Sequence, residues 1–190
     1  MILVRIKTEL GDILLEVYDD RAPKTANHFM KYVDAGYYNG SAFFRSARSA
    51  DNEASREIRI DVIQAGYYNE DFKRSLIANG KGKASDGAIA RTGSLPQITV
   101  EPTSETGVKH IDGAISMARG TPDSVDDSFF ICVGDQSELD AGGKRHPDGF
   151  GFPAFGKVVS GMDVVGKIHA MPTMGQKLID DVRIITIERV

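Results

Sequence analysis

The 190-residue sequence has no tryptophan and a single cysteine, Cys132. A lone cysteine excludes an intrachain disulfide and is compatible with a reducing compartment. No apolar run approaches the roughly 20 residues that a membrane-crossing helix needs. The first residues lack the basic region and long apolar segment of a signal peptide. We therefore expect a cytoplasmic protein without a membrane partner.

The sequence also has no large excess of positive or negative charge. The 23 Lys and Arg residues nearly balance the 27 Asp and Glu residues, which gives a net charge of −4. A nucleic-acid partner bound through a broad basic surface is therefore not expected. Apolar residues make up 41% and charged residues 26% of the chain, as is typical of globular domains. The length predicts one domain over residues 1–190, which we expect to be a monomer.

Apolar residues alternate with polar ones in several short segments. The first 17 residues are predicted to form a hairpin of two strands. A helix is predicted from Pro23 to Gly36, since proline is favourable in the first helical turn, and a second follows Gly161. Short strands with two short helices predict a closed antiparallel barrel. The other predicted strands are 42–45, 59–64, 114–117, 128–133, 155–159 and 182–190.

Two polar segments interrupt this pattern. Residues 46–57 are rich in charged and small side chains and read as a surface insertion. Residues 79–94 are rich in Gly, Lys, Ala and Ser and read as a long loop. The sequence assigns no role to the 79–94 loop.

The familiar catalytic patterns are missing. The four histidines are scattered without the spacing of metal ligands, so no metal is expected. Cys132 lies in an apolar strand, which favours a buried thiol over a nucleophile. The sequence 80–83, Gly-Lys-Gly-Lys, matches neither a P-loop nor a dinucleotide fingerprint. We therefore expect no cofactor.

Several segments together resemble the cyclophilin family of peptidyl-prolyl cis–trans isomerases. Phe43-Phe44-Arg45 and 62–66 are similar to the family's Phe-His-Arg and Phe-Met-x-Gln-Gly-Gly, separated by the insertion. The segments 113–119 and 128–132 are similar to its Ser-Met-Ala and Phe-Phe-Ile motifs. A third match runs from Leu139 through 155–165. The resemblance covers nearly the whole chain and implies an all-β fold, a closed eight-stranded antiparallel β-barrel capped by two short α-helices.

The resemblance also implies roles for individual residues. Arg45 stands at the catalytic arginine, and Gln64 at the glutamine that binds the substrate backbone. Phe130 and Leu139 match the floor and wall of the proline pocket. The remaining substrate-binding positions are Val62 (usually methionine), Ala118 and Arg119 (backbone pairing with substrate), Ser128 (usually glutamine) and Phe152 (usually histidine or tyrosine). The implied partners are proline-containing peptides and unfolded or partly folded proteins, and the implied activity is EC 5.2.1.8.

Besides Ser128, this sequence departs from the family pattern at two further positions and in the insertion. Asp61 stands where a pocket phenylalanine is usual, and Glu138 replaces an aromatic residue, usually the tryptophan that helps to bind cyclosporin-type drugs. We therefore expect weak inhibition by such drugs. The insertion leaves Arg48 as an alternative to Arg45, although Phe43-Phe44 fixes the register in favour of Arg45. Because the insertion directly follows the arginine that the resemblance makes catalytic, we expect it to border the active groove.

Two functional hypotheses remain. The first is a proline isomerase that assists folding steps limited by X–Pro bonds. The second is a non-catalytic or weakly catalytic module, or chaperone, that binds proline-containing segments on the same fold. Asp61, Ser128 and the insertion beside Arg45 favour the second. An X–Pro peptide assay that compares the wild type with Arg45→Ala separates the two, and a wild type no faster than buffer would favour the binding module.

Overall fold

The computed structural model describes residues 1–66 and 95–190, so the predicted 79–94 loop lies outside the described residues. The described chain forms one antiparallel sheet. Its strands are β1 (Ile2–Thr8), β2 (Gly11–Val17), β3 (Ala42–Ala47), β4 (Val62–Gly66), β5 (Ala114–Met117), β6 (Phe129–Cys132), β7 (Ala154–Ser160), β8 (Thr173–Met174) and β9 (Lys177–Arg189).

Eight of these strands close into a barrel. The order across the sheet is β1-β2-β7-β5-β6-β4-β3-β9, and pairing of β9 with β1 completes the ring. The two-residue strand β8 pairs only with β9 among the described strands and extends it as a hairpin. The predicted closed eight-stranded antiparallel barrel is confirmed, with β8 as an additional strand.

Three short α-helices accompany the barrel in the described residues: α1 (Pro23–Asp34), α2 (Thr103–Thr106) and α3 (Met162–His169). Helix α1 packs on β7 and β9, and α3 packs on β2, β3 and β4. Both were predicted, because their apolar residues recur on one helical face. None of the described helices is long and apolar enough to cross a membrane.

Alternation along the strands divides the apolar side chains between two clusters. Phe43, Ile63 and Phe129 belong to the large cluster that fills the barrel. Val62 and Phe130, their neighbours in sequence, belong to a smaller cluster on the opposite face of the same strands. Because successive strand residues point to opposite faces, the outer face of β3, β4, β6 and β5 carries an apolar surface of its own.

The largest differences between the predicted and observed strand boundaries are at three places, while β6 and β7 differ from the prediction by one residue at each end. The insertion predicted at 46–57 begins later, because Ser46 and Ala47 complete β3. Strand β4 starts at Val62 rather than Arg59. The apolar residue Ile60 packs in the outer cluster but lies before the first paired residue of the strand. Strand β9 starts at Lys177 rather than Val182, because its first half is mostly polar and gave no alternating signal.

Candidate active site

A cavity of about 440 Å³ lies on this outer face. All nine residues that the sequence resemblance selected line it. They are Arg45, Val62, Gln64, Ala118, Arg119, Ser128, Phe130, Leu139 and Phe152. The fold thus brings together residues that are spread over more than 100 positions of the chain.

The strand register explains why the central three meet. Arg45 in β3 pairs with Gln64 in β4, and Gln64 pairs with Phe130 in β6. A register shift between Phe43 and Arg45 leaves Phe44 as the extra residue, so Phe43 faces the barrel interior while Arg45 faces outward. A charged side chain, an amide and a phenyl ring therefore stand in one row across three strands.

The Arg45 guanidinium is held by two amide oxygens. Its Nη1 donates to Oε1 of Gln64 (2.8 Å), while Nε and Nη2 both donate to Oε1 of Gln176 (2.8 and 2.6 Å). A guanidinium has five N–H donors, so one N–H on each terminal nitrogen is left over from these three bonds. Burial lowers the pKa of Arg45 to about 10, against the opposing effect of the Glu53 carboxylate. Arg45 is therefore charged at neutral pH.

Ser128 fixes the direction of the Gln64 amide. Its hydroxyl donates to the carbonyl of Ala65 (3.1 Å) and accepts from Nε2 of Gln64 (2.8 Å). With the amide nitrogen committed to Ser128, the amide oxygen faces Arg45. The substitution of serine for the family's glutamine at 128 thus leaves a residue that orients Gln64.

The apolar half of the cavity is built around Phe130. Its ring meets that of Phe152 edge to face, with centroids 5.6 Å apart. Leu139, from the 3₁₀ helix Ser137–Leu139, and Val62 belong to the same cluster. These apolar side chains and the Arg45 guanidinium line the same cavity.

Arg119 is committed to contacts within the chain. Its guanidinium forms a two-pronged ion pair with Asp148 (2.7 and 2.8 Å) and donates through Nε to the carbonyl of Gly151 (2.7 Å). The guanidinium also lies 5.5 Å from the centre of the Phe152 ring. The Ala118 N–H donates to the carbonyl of Ser128 (2.8 Å). The side chain of Arg119 therefore braces the cavity wall.

Asp61 does not replace the missing pocket phenylalanine. Its carboxylate accepts from the Ser49 N–H (2.9 Å) and lies 3.6 Å from Nε2 of His169. The preceding residue, Ile60, is buried and lines the cavity instead. The sequence match showed that Asp61 occupies the phenylalanine position. It could not show that Ile60 supplies the apolar wall.

A buried Ser–His–Asp row supports Phe130 from behind. The His110 ring stacks on Phe130 with centroids 5.9 Å apart; its Nδ1 lies 2.8 Å from Asp140 and its Nε2 3.0 Å from Ser116. Burial, opposed by Asp140, lowers the pKa of His110, so the ring is neutral, donates to Asp140 and accepts from Ser116. Ser116 has no exposed surface. The row is a scaffold, not a nucleophilic triad.

Sequence reasoning missed six lining residues. They are Ile60, Gln97, Gly120, Ser124, Asp126 and Arg145. Asp126 accepts from Gln97 (3.3 Å) and from the Tyr32 hydroxyl (3.1 Å) at one end of the cavity. Arg145 lies in a Gly-rich loop, and its carboxylate partner is 92 positions away. No local signal could have paired those two residues.

Arg48, the alternative reactive arginine, points away from the cavity. Its Nη1 donates to the carbonyls of His169 and Met171 (both 2.9 Å), and its Nη2 donates to Asp51 (2.7 Å). It joins the connection between β3 and β4 to the end of α3. Of these two arginines, Arg45 lines the cavity and Arg48 does not.

We predict that Arg48→Ala lowers stability and leaves catalysis unchanged. The substitution leaves the carbonyls of His169 and Met171 without their donor and removes the contact between the β3–β4 connection and the end of α3. We expect the free energy of unfolding to fall by about 1–3 kcal/mol. Urea unfolding and an X–Pro peptide assay below the transition measure both effects. A loss of activity in the folded variant larger than about threefold would contradict this assignment.

The buried thiol and the carboxylates suggest no other chemistry. Cys132 has no exposed surface, and burial raises its pKa, as expected for a structural thiol. Within residues 1–66 and 95–190, no three His, Cys, Asp or Glu side chains are grouped in a way that could hold a metal ion.

The fold and the cavity define a class: a closed β-barrel with a half-apolar, half-polar groove on its outer face. Comparison with known proteins gives the family. The model for cyclophilin type peptidyl-prolyl cis-trans isomerase/CLD matches residues 3–189. The peptidyl-prolyl cis-trans isomerase of Acinetobacter baylyi is 35% identical over 173 residues, covering 90% of this chain and 73% of the relative. CypE of Dictyostelium discoideum is 34% identical, covering 96% and 94%.

A solved structure agrees on the fold. The crystal structure of a Cryptosporidium parvum cyclophilin, determined in the presence of the dipeptide Ala-Pro, superposes with a TM-score of 0.70 at 21% identity, covering 99% of this chain and 98% of that one. The chain belongs to the cyclophilin family of peptidyl-prolyl cis–trans isomerases. Its enzyme class is EC 5.2.1.8.

Proposed function

We propose that this chain isomerises X–Pro bonds by gripping the twisted amide with Arg45 while the proline ring sits on Phe130. The observation that carries the proposal is the row Arg45–Gln64–Phe130 along one cavity. This row places a charged hydrogen-bond donor, Arg45, beside an apolar slot. The reaction needs the donor for the proline nitrogen and the slot for the proline ring. The ligands are proline-containing segments of peptides and of unfolded proteins.

The barrier to isomerisation comes from amide resonance. Rotation about the C–N bond costs about 18–20 kcal/mol, and an uncatalysed X–Pro bond takes tens to hundreds of seconds to turn. As the bond twists, the proline nitrogen becomes pyramidal and regains its lone pair. A donor placed at that nitrogen stabilises the twisted state more than the planar one, and such differential binding is what accelerates a reaction.

Arg45 suits this role because of how it is held. Two amide oxygens occupy three of its N–H groups, and the spare N–H groups of Nη1 and Nη2 supply the donor. Burial strengthens the electrostatic effect of the charge. Acceleration to the millisecond range requires about 10⁴-fold or more, or roughly 5–7 kcal/mol. One charged hydrogen bond and the orientation of the proline ring are a sufficient source.

The apolar slot holds the ring during the reaction. Phe130 forms its floor, with Leu139, Phe152 and Val62 around it. If the proline ring stays fixed in the slot, the carbonyl that precedes it must be the group that rotates. The presence of Ala-Pro with the Cryptosporidium cyclophilin supports the same ligand class for this cavity.

A binding module with little turnover is the alternative. The insertion and the unusual residues at 61 and 128 favoured it, but Ser128 orients Gln64 and Asp61 lies outside the cavity lining. A protease-coupled assay on an X–Pro peptide separates the two functions. We expect the wild type to accelerate isomerisation well beyond buffer. Binding of the peptide without acceleration would favour the module.

We predict weak inhibition by cyclosporin-type ligands. The carboxylate of Glu138 accepts the backbone N–H of Lys144 (2.8 Å), so a charged side chain stands where the family's tryptophan gives an apolar surface. The measurement is competition in the same peptide assay. A nanomolar inhibition constant, equivalent to about −12 kcal/mol of binding, would contradict the prediction.

A further inference from the structure

Glu53 is a fully buried carboxylate in the connection between β3 and β4. Its side chain has no exposed surface. It accepts from both terminal nitrogens of Arg145 (2.5 and 3.0 Å), and Nε of Arg56 lies 3.3 Å from it. Burial opposes ionisation, but the bonds from Arg145 and Gln176 and the charges of Arg145 and Arg56 outweigh it and lower the pKa of Glu53. The Glu53 carboxylate is therefore buried and ionised, next to residues that line the cavity.

Gln176 links this carboxylate to Arg45. Its Nε2 donates to Oε1 of Glu53, and its Oε1 accepts two N–H groups of Arg45. A carboxylate without a proton only accepts hydrogen bonds. Glu53 therefore decides which way the Gln176 amide points, and so presents an oxygen rather than an NH₂ group to Arg45.

The backbone keeps Gln176 at this place. It lies in the turn between β8 and β9, and its carbonyl accepts the N–H of Ser46 (2.9 Å), the residue after Arg45. Lys177, the next residue, pairs with Arg45 in the sheet. The turn therefore carries the amide directly to the guanidinium, while Glu53 approaches from the other side.

We propose that Glu53 is a positioning residue that acts through Gln176 to hold the Arg45 guanidinium at the cavity. This inference rests on the proposed role of Arg45. Glu53 lies 3.9 Å from Nη2 of Arg45 and does not line the cavity, so its action on the substrate is indirect. Through Glu53 alone, the connection between β3 and β4 contributes to the position of Arg45. Without Glu53, the Gln176 amide is free to turn, and the guanidinium loses the fixed acceptor for two of its bonds.

The test compares Glu53→Gln and Gln176→Ala with the wild type, using Asp51→Asn as the matched control. Asp51 lies in the same connection but pairs with Arg48. We expect kcat to fall about tenfold in each of the first two variants, because small misplacements of a reacting group are costly. The KM should stay within about threefold, and Asp51→Asn should match the wild type in both constants.

The double variant tests whether Glu53 works through Gln176. Two residues in one chain of contacts give non-additive effects. We therefore expect Glu53→Gln/Gln176→Ala to be no slower than Gln176→Ala alone. If Glu53→Gln does not fold, Glu53→Asp takes its place in both comparisons, because it keeps the buried charge but withdraws the carboxylate from Gln176. A kcat within twofold of the wild type in Gln176→Ala overturns the inference, and so do multiplicative losses in the double variant.

An NMR signal of Arg45 separates this inference from the proposed function. The Nε–H of Arg45, assigned by its loss in Arg45→Lys, should exchange slowly in the wild type and about tenfold faster in Glu53→Gln and Gln176→Ala. If Arg45→Ala remained active, the proposed role of Arg45 would be wrong, yet this signal would still report whether Glu53 positions the side chain. An unchanged signal in both variants overturns the positioning role.

Discussion

Arg45→Ala is expected to lower kcat/KM for X–Pro peptides by about a hundredfold to a thousandfold, the range found when one preorganised donor to a transition state is removed. The substitution takes away a guanidinium that lines the cavity and is held by the amide oxygens of Gln64 and Gln176. Folding should persist, because Arg45 lies at the outer face of β3 and not in the barrel core. A protease-coupled assay, with circular dichroism as the check of folding, measures the effect.

Two controls make the result specific. Arg45→Lys keeps the charge but loses the planar fork, so we expect a large loss here too, since the two cations differ in donor geometry. Arg48→Ala should keep its activity while folded. Loss in Arg48→Ala together with full activity in Arg45→Ala would show that the register of the arginine assignment is wrong.

Phe130→Leu should lower kcat/KM about tenfold, mainly through a higher KM. Leucine removes the flat surface on which, in the proposed mechanism, the proline ring rests. Aromatic contacts of this kind contribute about 0.5–1.5 kcal/mol beyond the area that they bury. The matched control is Phe129→Leu. Phe129 is the adjacent residue of β6 but faces the barrel interior.

Both phenylalanine variants should lose stability, because each ring is buried. Only the one on the cavity side should lose affinity for the peptide. Thermal unfolding and steady-state kinetics below the transition give both quantities. Equal kinetic losses in the two variants would mean that general loosening of the barrel, and not the proline slot, controls the activity.

The barrel could be predicted from the sequence because its strands alternate. Phe129 and Phe130 show the principle: adjacent residues of one strand supply the core and the cavity, and motif spacing fixed which is which. All nine residues selected by resemblance line the cavity. Strand ends were less certain, since β9 begins with polar residues that give no periodic signal.

The network around Arg45 could not be predicted. Glu53 and Gln176 are 123 positions apart, and Glu53 and Arg145 are 92 apart. Each is a polar residue in a polar segment, where the ordinary interpretation is exposure to solvent. Only the closed barrel brings the connection after β3 against the β8–β9 turn and the Gly-rich loop that carries Arg145. Local patterns describe strands and turns, whereas such contacts arise from topology.

The most direct test measures how fast a bound Ala-Pro peptide interconverts between cis and trans. NMR exchange spectroscopy gives this rate on the enzyme separately from the dissociation constant. For Arg45→Ala we predict that the on-enzyme rate falls at least about a hundredfold, while the dissociation constant stays within about threefold of the wild-type value. An unchanged on-enzyme rate with a large loss of affinity would contradict the claim that Arg45 stabilises the twisted amide.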